Sequence, residues 1–390
     1  MIYLDNNATT QPDPKVIAAM VRALEESWGN PSSRHRVGER ARGAVEGARA
    51  QVAQVLGCAP GQVTFTSGGT ESCHLAIHSA LSSDPRRTRL VTSRTEHSAV
   101  RGAAEAWEAQ GHPVTWIEGD RNGVIDLAVL DALLDAHPDT GLVSIQWANN
   151  ETGVVQDVGS LGETCRRHGV PFHVDGTQWV GKMPTDLRSL PIDLLSCSAH
   201  KFHGPKGVGA LAAAPGVVIR PAAVGGPQER GLRAGTENVP GIVGMGVSAD
   251  LALQWLTLGE GPRLALAAVR DAFEEKILAA LPFAQVIGGG AARLPNTSNI
   301  AFARLEAEAV LVALSRRGLC ASAGAACSSG SLDPSPVILA LGIPREIAHG
   351  AVRFSFGRDA TEAEARDAAA IVIECVGKVA RSMPGAALSS

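Results

Sequence analysis

Short apolar runs alternate with helix-patterned stretches through the first 220 residues. Residues 62–66, 89–92, 114–117, 142–146, 171–174, 194–196 and 209–212 are brief, mostly aliphatic or β-branched, and bounded by polar or turn residues, the pattern of buried strands. Between them, 41–56, 98–110, 127–136 and 161–168 place apolar residues at helical spacing among good helix formers. This alternation predicts an α/β fold whose mainly parallel, seven-stranded sheet is covered by helices on both faces.

From residue 221 the texture changes. PAAVGGPQERGLRAGTENVPG (221–241) reads as a loop crossing a surface or interface, and a long helical pattern over 242–281 follows. Strand-like 285–287, 299–303 and 352–355 among helices predict a smaller α+β unit. The expected division is a large domain over 15–256 and a small C-terminal domain over 257–390 that takes in the arm 1–14. The small, polar tail SMPGAALSS is expected to fray.

With 390 residues, 45% hydrophobic and 19% charged, the chain can bury enough apolar surface to offset its conformational entropy, which excludes global disorder. A formal charge of −4 with no long basic run argues against a nucleic-acid partner. The seven cysteines are scattered, with no CxxC pair, as expected of free thiols in a reducing compartment. No run of eighteen strictly apolar residues occurs. The start, MIYLDNNATT, lacks the basic and then apolar segments of a signal peptide, so a cytoplasmic protein without a membrane partner is expected.

Several familiar patterns fail. Gly176–Lys182 has phosphate-loop spacing until Met183 replaces the hydroxyl residue that would hold magnesium, and Gly288-Gly-Gly290 lacks the third glycine of a dinucleotide fingerprint, Arg293 standing there. His173, Asp175, His200 and His203 include enough ligand types for zinc or iron. Neither a third histidine in a local pattern nor a cysteine at ligand spacing completes such a site, and no metal is expected.

A different chemistry uses the same residues better. Lys201 lies between two histidines in SAHKFHGP at a strand end, where a solvated lysine is not needed, an exposed lysine being the plain alternative. Asp175 ends an apolar strand, where a carboxylate is costly unless it meets a cation or several donors; an ordinary ion pair would also serve. A Schiff-base lysine with an acid on a pyridinium nitrogen is the signature of pyridoxal phosphate enzymes. Ser67-Gly68-Gly69-Thr70 opens a helical run directly after a strand and suits an anion, though a tight turn would read the same. Cys327, in a loop of small residues with Gly324 and Gly330 to either side, has no large apolar neighbours to bury it and suits a nucleophile. Cys58, Cys165, Cys197 and Cys375 read as buried packing. Arg353, within the apolar strand VRFSF, needs an anion, which a carboxylate substrate or an ion pair would supply.

Taken in order, YLDNNATT (3–10), NPSS with His35, TSGGTES (66–72), EHSAV (96–100), NNETG (149–153), HVDGTQ (173–178), SCSAHKFHGPKGVGAL (196–211), QERGLRAGTENV (228–239), LPNTSNI (294–300), ACSSGS (326–331) and AVRFSFG (351–357) resemble the cysteine desulfurases nearly end to end. Those are pyridoxal phosphate enzymes of fold type I, and the long Cys327 loop resembles the NifS/IscS branch. The resemblance implies that Lys201 holds pyridoxal 5′-phosphate covalently, His97 stacks on its ring, Asp175 pairs with the pyridine nitrogen and Gln178 contacts the phenolic oxygen. It implies that Gly69, Thr70, Ser198 and His200 receive the phosphate, joined by Thr236 from the other subunit of a homodimer. Asn150 and Arg353 would hold the carboxylate of L-cysteine. Cys327 would take the sulfur as a persulfide and pass it to an acceptor or iron–sulfur scaffold protein, leaving L-alanine, with His97 a candidate proton donor.

Two positions depart from the family pattern: Cys73-His74 stands where Asn-Asn is common, adding a thiol near the cofactor, and Gly176-Thr177 replaces Ala-Val. A selenocysteine lyase or C–S lyase on the same scaffold, acting without a persulfide on the protein, is the alternative activity. A sulfur-relay protein that binds no pyridoxal phosphate is the alternative outside that class.

Overall fold

In this computed structural model, which describes residues 1–323 and 333–382, the chain forms twelve strands among the described residues. They are β1 (Ile2–Tyr3), β2 (Val63–Thr66), β3 (Arg89–Ser93), β4 (Val114–Ile117), β5 (Thr140–Gln146), β6 (Phe172–Asp175), β7 (Leu194–Ser198), β8 (Gly209–Ala213), β9 (Ala284–Val286), β10 (Thr297–Phe302), β11 (Leu319–Cys320) and β12 (Ala351–Ser355). The central sheet runs β2-β8-β7-β6-β5-β3-β4. Its β7-β6-β5-β3-β4 pairs are parallel, and β8 is antiparallel to both neighbours. Strands β5, β6 and β7 are buried at every position, their apolar residues interspersed with buried polar ones such as Ser144, His173 and Ser196. The register sets Gln146 beside Asp175 and Asp175 beside Ser196, so the carboxyl ends of three strands open together, where ligands bind in such sheets.

Strand β2 is an edge, and side chains close it. Arg49 and Arg230 both donate to the Val63 carbonyl, and Glu229 accepts from the Phe65 N–H at 2.8 Å. Glu229 meets the Arg49 guanidinium with both oxygens, at 2.7 and 2.8 Å, with both side chains buried. To reach these partners Glu229 and Arg230 adopt left-handed backbone, φ 48° and 60°. A segment expected only to cross a surface thus covers groups that would otherwise invite another strand.

A second apolar core gathers Leu4, Phe273, Phe302, Phe354 and Val372 around β10 and β12, which are antiparallel. The helix Glu362–Ser382 packs there on Gly261–Ala280. The helical pattern over 242–281 is two helices, Val239–Leu256 and Gly261–Ala280, because Gly259 takes φ 88° and Pro262 cannot continue the first. The former has the length and apolarity of a membrane span, yet half of it is buried and it packs on Pro14–Glu26 and Arg36–Leu56, as a core helix does. Strand β1, not anticipated, pairs with β11 and brings the chain start to the carboxyl end of the sheet.

Candidate active site

Gly69, Thr70, His97, Asn150, Asp175, Gln178, Ser198, His200 and Lys201 line one cavity of about 260 Å³. Lys201 ends a single 3-10 turn, Ala199–Lys201, that leaves β7. The N-terminal arm holds that turn: Thr10 donates its N–H and hydroxyl to the His200 carbonyl at 2.9 and 3.0 Å and accepts from the His203 N–H. Lys201 Nζ donates to the carbonyls of Asn7 and Ala8 at 2.6 and 2.9 Å. His97 caps the helix Ser98–Ala109, its Nδ1 accepting from the Ala99 N–H, so the proton of the neutral ring sits on Nε2.

Asp175 lines the same cavity. One of its oxygens accepts from the Thr177 N–H at 3.0 Å, and its inner side meets Cys73. Cys73 is fully buried and does not line the cavity; burial, and then the Asp175 charge, push its thiol pKa well up against an opposing Ser196 hydrogen bond. Buried and with its thiolate disfavoured, Cys73 is not a second reactive thiol. Behind it, Ser196 lies 2.9 Å from His173 Nε2 and Ser144 2.8 Å from Nδ1. Burial lowers the His173 pKa to about 4, so a neutral ring sits between two hydroxyls. The neutral ring can thus accept from one of these hydroxyls and donate to the other. Both His173 nitrogens are thereby engaged, which removes it as a metal ligand. Glu96 is fully buried nearby, its carboxyl pushed well up by burial, with the Asp175 charge adding.

The third wall is the start of the helix Gly69–Leu81, whose unpaired N–H groups follow β2. Gly209 lets β8 pass beneath it; a Cβ there would lie 2.6 Å from the Gly68 carbonyl carbon. Ser198 Oγ lies against Gly68, Thr70 faces the cavity, and Glu71 is turned aside by Arg233 at 2.8 Å and by the Ser67 N–H. Burial and neighbouring cations lower the His200 pKa to about 4.

These residues fit pyridoxal phosphate: an amine, a carboxylate and a helix N-terminus face one cavity, and the buried Thr177 Oγ1 and Asn150 Oδ1 beside it have no hydrogen-bond partner among the described residues. Arg353 lies just outside the lining, 2% exposed; its guanidinium donates to Asp5 at 2.8 Å and to the Asn150 carbonyl at 3.0 Å, while Nε has no partner among the described residues. Asp5 thus supplies the anion that this arginine requires. Thr236 is exposed and outside the lining, and Cys327 lies outside the described residues. Cys165, Cys197 and Cys375 are buried, whereas Cys58 is only half-buried. Sequence reasoning missed Asn7, Ala8, Lys182 and Glu96. Asn7 and Ala8 stand in the quoted YLDNNATT, and Lys182 in the rejected phosphate-loop pattern.

The aminotransferase class-V family model matches residues 2–367. A cysteine desulfurase of Trichormus variabilis is 47% identical over 364 residues, 93% of this chain and 90% of that protein. The chain belongs to the class-V aminotransferases, among the cysteine desulfurases. A second relative, a cysteine desulfurase of Cereibacter sphaeroides, is 48% identical over 365 residues, covering 93% of this chain and 92% of its own. A solved NifS-like protein superposes with a TM-score of 0.89 at 35% identity, over 97% of this chain and 99% of that one. SspA, solved in complex with cysteine, gives 0.79 at 32% identity over 91% and 99%. These family members depend on pyridoxal phosphate.

Proposed function

We propose that the protein is a cysteine desulfurase: it converts L-cysteine to L-alanine and takes the sulfur onto Cys327 as a persulfide. The observation that carries this reading is the placement of Lys201 and Asp175 on one cavity with the first turn of Gly69–Leu81. Cysteine desulfurases at 47–48% identity over nine-tenths of the chain support the substrate.

Lys201 would hold pyridoxal phosphate covalently, with Asp175 at the pyridine nitrogen, His97 against the ring face and Gln178 at the phenolic oxygen. Gly69, Thr70, Ser198 and His200, with Thr236 of a second subunit, would receive the phosphate. Bound there, the cofactor supplies an electron sink for the substrate's α-carbon. Asp175 would keep that sink charged, and the Thr177 N–H that its oxygen accepts helps to hold the carboxylate oriented. Lys201, released as an amine, moves the proton from the α-carbon. Asn150 and Arg353 orient the substrate carboxylate, which takes a place beside Asp5 on the same guanidinium. The Cys327 thiolate attacks the substrate sulfur as the carbon–sulfur bond breaks, and the remaining three-carbon unit is protonated, with His97 as donor, and leaves as alanine. Residues 15–256 form the cofactor-binding unit, and 257–390 with 1–14 form the unit that carries the cysteine. The working form is a cytoplasmic homodimer that hands sulfur to an acceptor or iron–sulfur scaffold protein.

The test is direct. The purified protein should show a visible absorption band that Lys201→Ala abolishes, and should form alanine from L-cysteine. Cys327→Ala should keep the band and lose sulfur release. A protein that develops no band with added pyridoxal phosphate overturns the reading, and retained cysteine turnover in Cys327→Ala favours a lyase without a persulfide.

A further inference from the structure

We propose that Lys182 is a positioning residue: it fixes which way round the Gln178 amide stands, so that an N–H and not the carbonyl is offered to the ring oxygen of the cofactor. The inference rests on the reading that pyridoxal phosphate occupies the cavity.

Lys182 follows Gln178 by one turn, and its Nζ donates to Gln178 Oε1 at 2.7 Å and to Asn7 Oδ1 at 3.1 Å. No carboxylate lies within ion-pair distance of it among the described residues. Burial pushes its pKa well down, with Lys201 and Arg353 adding to the effect. An amine buried without an acid is costly unless its N–H groups are used, and both oxygens use them whether it is charged or neutral.

At its other end, Gln178 Nε2 donates to the Asn7 carbonyl at 3.0 Å. A carbonyl only accepts, and the amine donates, so a reversed amide would set N–H against N–H and oxygen against oxygen. The orientation therefore follows from the partners. Asn7 is itself fixed, its Oδ1 also accepting from Asn296 and its Nδ2 donating to Thr297 at 2.9 Å. Its carbonyl also receives Lys201 Nζ, so one arm residue connects both lysines with Gln178. After these bonds Gln178 Nε2 keeps one further N–H, and Gln178 lines the cavity. A negatively charged ring oxygen wants a donor there.

The readout is the pH titration of the visible band of the holoenzyme. An N–H to the ring oxygen stabilises its negative charge, so losing that donor raises the midpoint. Lys182→Met is expected to raise it by about one unit, tenfold in proton affinity, the scale of one hydrogen bond to a charged group. Gln178→Ala should do at least as much, and the double variant should match Gln178→Ala alone, because Lys182 acts through Gln178. An unchanged midpoint in a folded, cofactor-loaded Lys182→Met, or shifts that add in the double variant, would overturn the proposal. Should Lys182→Met fail to fold, Gln178→Glu decides: a carboxylate cannot donate and should raise the midpoint more than Gln178→Ala, and an unshifted midpoint overturns the assignment. A wild-type protein with no visible band on adding pyridoxal phosphate overturns both the functional reading and this inference.

Discussion

Glu229→Gln tests whether the β2 edge is held by charge or by shape. Glu229 Oε2 receives Arg49 Nη1 at 2.7 Å and the Phe65 N–H at 2.8 Å, and Oε1 receives Arg49 Nη2 at 2.8 Å. Both oxygens thus face donors, so a glutamine, of nearly the same volume, must turn its NH₂ toward a donor whichever way it flips. Burial by itself would lower the Arg49 pKa, but the bonds and charges of Glu229 first, and then of Glu46, together more than offset this and raise it. Removing that charge leaves the guanidinium with Glu46, whose side chain is mostly exposed, and the Val63 carbonyl. Breaking one side of a buried pair costs about 3–5 kcal/mol, and the surviving glutamine bond places this case near 3. Urea unfolding should show a lower midpoint with an unchanged slope. Arg49→Met combined with Glu229→Met should cost less than the two single variants added together, since no unpaired charge remains. A loss under about 1 kcal/mol for Glu229→Gln, or additive losses in the double variant, would refute the reasoning.

Other consequences are as definite. His173 takes up its proton at about 4 when folded against an ordinary 6.5, so the unfolded chain binds that proton first. Its contribution is complete above pH 6.5 and is lost as pH falls toward 4, a decline of roughly 3 kcal/mol that the difference in denaturant midpoints between the wild type and His173→Gln should follow across this window, Glu96 and His200 titrating alike in both. Gly209→Ala should weaken cofactor binding by about tenfold in a fluorescence titration, because the added methyl meets the Gly68 backbone and only a shift of the phosphate-facing turn relieves the contact. Cys73 should resist thiol reagents in the folded protein and react on unfolding, since it is fully buried and its thiolate is disfavoured.

Features written locally in the chain were legible there. The fully buried β5, β6 and β7 announced themselves as mostly apolar runs, and the parallel sheet followed from their alternation with helices. Lys201, Asp175 and Gly69-Thr70 sit at strand ends or a helix start, positions that motif and texture mark. What depended on distant partners was not legible. Strand β10 begins at Thr297, earlier than the apolar pattern starts, because Thr297 and Ser298 are buried polar residues. Arg353 was read correctly as needing an anion, but its partner Asp5 is 348 residues away. Asn7 is small and polar, and only the folded structure shows its amide and carbonyl meeting two lysines and a glutamine. Lys182 was weighed only against a phosphate loop, and its use comes from a side chain four residues back and an arm 175 residues away.

The strand that receives the arm is made long after the arm itself. Asn7 docks on Ser355, so a nascent chain growing at about 5–20 residues per second waits roughly twenty to seventy seconds for it. For the last 154 residues of that wait, roughly eight to thirty seconds, the lysine turn is already translated while Asn7 still lacks Ser355. A product cut short before Ser355 would therefore carry the cavity lysine and leave the arm residue that receives it without its anchor.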